Sequence, residues 1–172
     1  MNTERNLIFN QKDIPRKQWR YGLRSSAVTG CGWIAAYNAL SLMGYYIRPE
    51  ILIRDYQLHL PILNGPVGTF ILEPASYFKR RGFRVKISTL QRRFDEIAMA
   101  HDACILFYYW RRKFKFGAHF AALQFKDGKF VGYNTFSNSK GPDDYGISLE
   151  SFLKKQRYFF PVLIAIKDKR RK

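Results

Sequence analysis

A cysteine between two small neighbours is the first residue of this sequence that could do covalent chemistry. Cys31 lies between Gly30 and Gly32 and opens an apolar segment with helical spacing. A thiol attacks only as thiolate, which the unpaired N–H groups at a helix N-terminus favour and which a nearby imidazole favours further. The glycines let a backbone or a substrate approach the sulfur closely. We therefore expect Cys31 to be a nucleophile; the alternative is a small buried apolar residue.

A hairpin later in the chain carries a histidine that could serve as the base. Two β-prone runs, residues 117–125 and 130–134, flank the dipeptide Asp127-Gly128, which favours a two-residue turn. If these two residues form the turn, the numbers of paired residues sum to 255. His119 then lies well inside the first strand of the hairpin.

The register of this hairpin decides which side chain can orient the histidine. With a two-residue turn, Ala121 faces Asn134, and Asn134 lies diagonal to His119 on the same sheet face, roughly 7–8 Å away. An amide oxygen that accepts from one imidazole N–H would fix the tautomer and leave the other nitrogen for the thiol. A three-residue turn would place Asn134 on the opposite face. Taken singly, His119 could equally be a hydrogen-bonded core residue and Asn134 a strand-end residue, but their order after Cys31 favours a catalytic set.

The segments around these residues resemble the papain-like cysteine peptidases, and most closely their bacterial C39-like branch. The resemblance rests on residues 18–22 and 30–40, on Gly117-Ala118-His119-Phe120, and on Tyr133-Asn134. It covers the order of elements over nearly the whole chain, in which a cysteine-bearing helix and further helices precede an antiparallel sheet that bears the histidine. The resemblance implies that Cys31 is the nucleophile, His119 the general base and acid, and Asn134 the orienting residue.

The same resemblance implies an oxyanion residue and a class of reaction. Relatives place a glutamine before the cysteine, where it helps to bind the oxyanion together with the backbone N–H of the cysteine. Gln18 is the expected residue, although it stands thirteen positions ahead of Cys31, Ser25 occupies the usual closer position, and Gln11 is the other glutamine of the arm. The implied protein is a cysteine peptidase or thiol acyltransferase that acts on a peptide or amide substrate through a Cys31 thioester.

The elements that must position these residues predict an α+β fold, in which N-terminal helices that carry the nucleophile pack on a C-terminal antiparallel sheet. Helical spacing, Pro49 at a first helical position and Thr29 as an N-cap predict helices in the first half. Alternating apolar residues predict strands in the second half. The predicted helices are 31–44, 49–60, 72–81, 91–100 and 148–156, and the predicted strands are 83–87, 103–110, 117–125, 130–134 and 158–166.

Length and composition place the chain among folded proteins. Its 172 residues are 47% hydrophobic and 17% aromatic, which excludes a disordered basic tail. We expect one domain over residues 1–172, with an irregular arm over residues 1–30 and a basic tail over residues 167–172. Two cysteines without zinc spacing predict neither a disulfide framework nor a metal, and we expect no cofactor. The lack of a signal-peptide core or a long apolar run predicts a cytoplasmic protein without a transmembrane segment.

The charge leaves a second interpretation open. Lys and Arg number 30 against 13 Asp and Glu, for a formal charge of +17, which attracts polyanions over long range. Aromatic and basic residues alternate over residues 108–114, as in surfaces that stack single-stranded bases. The alternative to an enzyme is a catalytically silent papain-like domain that binds an anionic partner, nucleic acid or an acidic polymer. A solvated cationic surface explains the charge equally well.

Overall fold

The computed structural model describes residues 7–58, 69–112 and 115–170. Within these ranges the helices are α1 (Ser26–Thr29), α2 (Cys31–Leu42), α3 (Pro49–Leu58), α4 (Glu73–Arg80), α5 (Phe94–Met99) and α6 (Leu149–Gln156). The strands are β1 (Arg20–Tyr21), β2 (Arg24–Ser25), β3 (Arg84–Ser88), β4 (Ala103–Arg112), β5 (Lys115–Lys126), β6 (Lys129–Tyr133), β7 (Asp143–Gly146) and β8 (Phe159–Lys167). The end of the helix predicted over 49–60, two residues of the run 108–114 and the last two residues of the basic tail lie outside the described residues.

A six-stranded antiparallel sheet separates two apolar cores. Its strand order is β3-β8-β4-β5-β6-β7, and β1 and β2 form a separate small hairpin. Side chains alternate between the faces of a strand, so that Phe107 of β4 belongs to the core shared with α2, α3 and α4, whereas Tyr108 belongs to the core shared with α5 and α6. The fold class predicted from the sequence, α+β with N-terminal helices packed on an antiparallel sheet, is confirmed.

The helix α2 is the centre of the first core. Every residue from Gly32 to Ser41 is buried, because this segment is apolar on nearly all of its faces. Trp33 and Ile34 are completely buried in the cluster that also contains Phe120 of β5. Burial of one such side chain contributes about 1.5–3 kcal/mol, so this packing fixes the position of the helix start.

The start of α2 differs from the prediction. Thr29 is not its N-cap; Thr29 belongs to α1, and the N-cap position of α2 is Gly30, which makes no side-chain hydrogen bond to the helix. Ser25 instead caps α1 through a hydrogen bond from the N–H of Ala27. A short helical turn directly before Cys31 therefore replaces the expected side-chain cap.

The β5–β6 hairpin has the predicted two-residue turn. Asp127 and Gly128 both have positive φ, 52° and 79°, as a type I′ turn requires, and the register follows the predicted sum down to the pair of Ala122 and Tyr133. The ladder ends there, because the next residue, Asn134, has φ of 60° and turns the chain away from β5. The predicted pairing of Asn134 with Ala121 is therefore wrong, and the β6-facing edge of β5 is open beyond Ala122.

The N-terminal arm contains several short elements in its described part. A 3-10 turn at Gln11–Asp13 is capped by the side chain of Asn10, and β1, β2 and α1 follow. The sequence pattern did not predict these elements, nor the short edge strand β7. None of the helices in the described ranges has the length and the hydropathy that crossing a bilayer requires.

Candidate active site

A cavity of about 490 Å³ brings the predicted nucleophile and base together. Cys31, His119 and Asn134 all line it, although they come from α2, from β5 and from the residue after β6. The cavity lies where β6 has left the sheet, so the open edge of β5 forms one of its walls. The three residues are far apart in the sequence, and the hairpin geometry and the packing of α2 are what assemble them.

Cys31 is the first residue of α2 and, taken over the whole residue, is partly exposed. Burial raises the pKa of this thiol above its ordinary value, and hydrogen bonds from the backbone of Phe120 and of Gly32 lower the pKa by a smaller amount. The expected preference for thiolate is therefore not met, because desolvation outweighs the backbone N–H groups. The resting nucleophile at neutral pH is a thiol.

The imidazole of His119 is held by a backbone carbonyl. Its Nε2 lies 2.5 Å from the carbonyl oxygen of Asn134. A carbonyl oxygen only accepts, so Nε2 carries the proton and Nδ1 keeps a free lone pair. Burial lowers the pKa of His119 below its ordinary value, against a smaller effect of this hydrogen bond. The resting base is a neutral imidazole in one tautomer, ready to accept a proton at Nδ1.

The side chain of Asn134 has a different partner from the one predicted. Its Oδ1 accepts from the backbone N–H of Gln11 at 2.8 Å, and its Nδ2 donates to Oε1 of Gln11 at 3.4 Å. The prediction that the side-chain amide of Asn134 orients His119 is therefore wrong. The backbone carbonyl of the same residue makes that contact. The side chain instead fastens the N-terminal arm to the site.

Gln11, rather than Gln18, lies at the site. Gln11 lines the cavity with Cys31, and its Nε2 donates to the carbonyl oxygen of Ala27 at 3.3 Å, in the turn before the helix. Gln18 is not among the described residues that line this cavity; it lies in a separate depression beside Ile14. Sequence reasoning missed Gln11 because its position depends on a hydrogen bond to a residue 123 positions away.

The glycines beside Cys31 serve internal packing. A Cβ at Gly32 would lie 2.1 Å from the side chain of Thr69, and a Cβ at Gly30 would lie 2.8 Å from the indole nitrogen of Trp33. The space that the sequence analysis reserved for a substrate is therefore occupied by the protein. Within the part of the chain that the structure describes, the cavity gives a substrate access to Cys31.

Cys31 and His119 meet the cavity from opposite faces of the sheet. Cys31 packs against the first core, whereas His119 lies beside its cross-strand neighbour Tyr108 on the second, with ring centroids 5.8 Å apart. The two groups thus share one cavity without a hydrogen bond between them among the described residues.

Comparisons with known proteins bear on the fold. No protein-family model matches the chain, and no curated protein matches it in sequence. Among solved structures, the chain is similar to the peptidase domain of Streptococcus ComA, a bifunctional ABC transporter involved in a quorum-sensing pathway. The TM-score is 0.50 at 14% sequence identity, and the match covers 80% of this chain and 92% of that chain. At this identity the likeness concerns the fold alone, an α+β arrangement similar to that of this peptidase domain.

Proposed function

We propose that this protein is a cysteine peptidase or thiol acyltransferase that acts on a peptide or amide through a thioester on Cys31. The observation that carries the proposal is the shared cavity: the thiol at the head of α2 and the imidazole of His119 open into the same space. The proton on Nε2 of His119, held by the carbonyl of Asn134, supports the role of Nδ1 as the base. The fold, similar to that of a peptidase domain, agrees with this reaction class.

The reaction begins from the neutral pair. Nδ1 of His119 takes the thiol proton as Sγ of Cys31 attacks the substrate carbonyl, and the imidazolium then gives that proton to the departing amine. The carbon–nitrogen bond breaks and a thioester remains. Water, or an amine in the case of acyl transfer, attacks the thioester with His119 again as base and restores the thiol. Proton transfer of this kind contributes a factor of ~10²–10⁴ to the rate.

The oxyanion needs donors on the cavity side of Cys31. The start of α2 supplies backbone N–H groups without a competing side-chain cap. Gln11 adds a side-chain N–H whose present contact with Ala27, at 3.3 Å, is long enough to be exchanged for a stronger acceptor. One such donor stabilises a transition state by ~3–4 kcal/mol. Gln11 therefore takes the role that the sequence analysis gave to Gln18.

Cleavage of a complex peptide mixture tests the proposal. The wild-type protein is incubated with peptides from a digested proteome, and new termini are identified by mass spectrometry. New termini should form with the wild type and with Cys104→Ala, whose thiol is fully buried away from the cavity. They should be lost with Cys31→Ala and with His119→Ala. Equal products from all four proteins would overturn the proposal.

A second candidate function is favoured by a cluster of exposed cations. Lys154, Lys155 and Arg157, at the end of α6, are exposed, and within the described ranges none of them forms an ion pair. Such a cluster fits a silent domain that binds a polyanion. Fluorescence anisotropy with a labelled single-stranded oligonucleotide tests it: affinity should fall steeply with salt, survive Cys31→Ser and weaken when the three cations become Glu. Absence of binding at low salt would exclude it.

A further inference from the structure

We infer that the cavity selects an acyl group that carries an aromatic side chain and a nearby negative charge, such as a peptide segment in which an aromatic residue neighbours a carboxylate. This inference rests on the proposed function of Cys31 and names the substrate class of that same site. Two independent features of the cavity wall support it, one of charge and one of shape.

Among the described residues that line the cavity, the permanently charged ones are positive. Lys12, on the 3-10 turn of the arm, and Lys115, at the start of β5, both line the cavity. Neither lysine forms an ion pair within the described ranges, and no acidic residue is among the described lining residues. A negative charge in the cavity would therefore be attracted by the two lysines; the carboxylate of Asp13, on the same turn as Lys12, is not among the lining residues and accepts from Nδ2 of Asn10 at 3.2 Å. The neighbouring polar residues Asn10, which caps the turn of Lys12, and Ser137 are uncharged.

Four aromatic residues that belong to or pack against the second core form a wall of the cavity. Tyr108 and Tyr158 are stacked with centroids 4.0 Å apart and planes 10° apart, and Trp110 and Phe136 extend the wall. Tyr108 is fully buried, so this wall is anchored in the second core. A flat apolar group placed against it would gain both buried area and ring–ring contact.

A glycine fixes one part of that wall. Trp110 and Gly117 are cross-strand neighbours, and a Cβ at Gly117 would lie 2.6 Å from the indole ring. The indole therefore lies directly over the backbone of β5, a position that any side chain at 117 would prevent. The ring is held flat against the strand two residues from His119, where an aromatic substrate group would rest.

Four thiol-directed probes separate the contributions of charge and ring. They are N-bromoacetyl-phenylalanine, its primary amide, N-bromoacetyl-alanine and its primary amide. In each case Sγ of Cys31 forms the carbon–sulfur bond, bromide leaves, and the thiol proton passes to His119 and then to water. The alkylation rate of Cys31 is measured by intact mass and peptide mapping, and is divided by the rate of glutathione with the same probe. Because alkylation needs no turnover, it reports on the cavity separately from catalysis.

The wild-type protein should prefer the anionic over the amide probe by about tenfold, because two lysines line the cavity. It should prefer the phenylalanine over the alanine probe by about tenfold, because of the ring wall. Lys12→Glu and Lys115→Glu should each remove the charge preference and leave the ring preference. Lys86→Glu, the same change of charge on the distant strand β3, should leave both preferences intact.

A second pair of variants tests the wall. Trp110→Leu should reduce the ring preference several-fold and leave the charge preference, whereas Phe116→Leu should change neither, because Phe116 is exposed and is not among the lining residues. Equal normalised rates for all four probes in the wild type would overturn the inference even if peptides are cleaved. If the wild-type protein shows both probe preferences but does not cleave peptides, the inferred substrate class of the cavity stands and the proposed catalysis is rejected.

Discussion

The carbonyl oxygen of Asn134 accepts a hydrogen bond from Nε2 of His119 at 2.5 Å, while the side chain of Asn134 is bonded to Gln11. One residue thus performs two tasks with different atoms. Its positive φ, 60°, turns the carbonyl toward the imidazole and ends the ladder with β5. The orientation of the base therefore depends on a backbone conformation that asparagine tolerates better than most residues.

Substitution of Asn134 should separate these two tasks. Asn134→Gly keeps the carbonyl and the positive φ but loses both hydrogen bonds to Gln11, at a cost of about 1–2 kcal/mol in the free energy of unfolding. Asn134→Ala should cost about 1 kcal/mol more, because alanine is strained at this φ. Urea unfolding measures both values.

The tautomer of His119 can be measured independently of the free energy of unfolding. In ¹⁵N NMR spectra, both the wild type and Asn134→Gly should have the proton on Nε2, because a backbone atom holds it. A mixture of tautomers in Asn134→Gly alone would show that the side chain, and not the carbonyl, orients the ring.

Removal of the Gln11 amide should slow catalysis. Gln11→Ala and Gln11→Glu both lack the Nε2 donor, and each should lower kcat/KM by ~10²-fold. The glutamate variant keeps an acceptor for Nδ2 of Asn134 but places a carboxylate oxygen against the carbonyl of Ala27, so it should be no more stable than the alanine variant. Gln18→Ala is the matched control and should stay within about twofold of the wild type, as surface substitutions do. A larger loss with Gln18→Ala than with Gln11→Ala would contradict this assignment.

The reactivity of Cys31 should follow a raised pKa. Its rate with iodoacetamide should increase with pH, and the midpoint should lie above the ordinary pKa of a thiol, because burial disfavours the thiolate. Burial also raises the pKa of Cys104, which has no exposed surface, so Cys104 should react only after unfolding. Peptide mapping after timed alkylation measures both. A midpoint near neutral pH would indicate a resting ion pair with His119 instead.

The pH profile of activity should follow a lowered pKa. The base must be neutral, and burial lowers the pKa of His119, so the acid limb of kcat/KM should have its midpoint below the ordinary value of about 6.5. Stability should change in the same range: below pH 6.5 the unfolded chain binds a proton that the folded chain does not, so the free energy of unfolding falls as pH falls. An acid limb above pH 6.5 would argue against His119 as the base.

Local chemistry made much of the fold predictable. The turn at Asp127-Gly128 followed from two residues that both accept positive φ, and the register followed from the turn. The helix at Cys31 followed from its apolar spacing and was confirmed with the predicted first residue. Each of these signals lies within a few residues, so the sequence was enough to predict the helix start at Cys31 and the strand that carries His119, whereas their assignment to one site came from the family resemblance.

Other parts of the site depend on contacts that no local pattern reveals. Asparagine is compatible with both a strand and a left-handed residue, so the end of the ladder at Tyr133 could not be predicted. The place of Gln11 depends on its hydrogen bond to Asn134 across 123 positions. The role of the glycines depends on Thr69 and Trp33, which fill the space beside them only in the folded chain.

The central claim is that Cys31 carries an acyl group during turnover, and acyl transfer from an activated ester measures this most directly. The protein is mixed with 4-nitrophenyl phenylacetate, quenched in acid at intervals, and examined by intact mass and peptide mapping. We expect one phenylacetyl group on Cys31 in the wild type and in Cys104→Ala, formed far more slowly in His119→Ala and absent in Cys31→Ser. A wild-type protein that releases 4-nitrophenol no faster than Cys31→Ser, with no acyl group on Cys31, would contradict this claim.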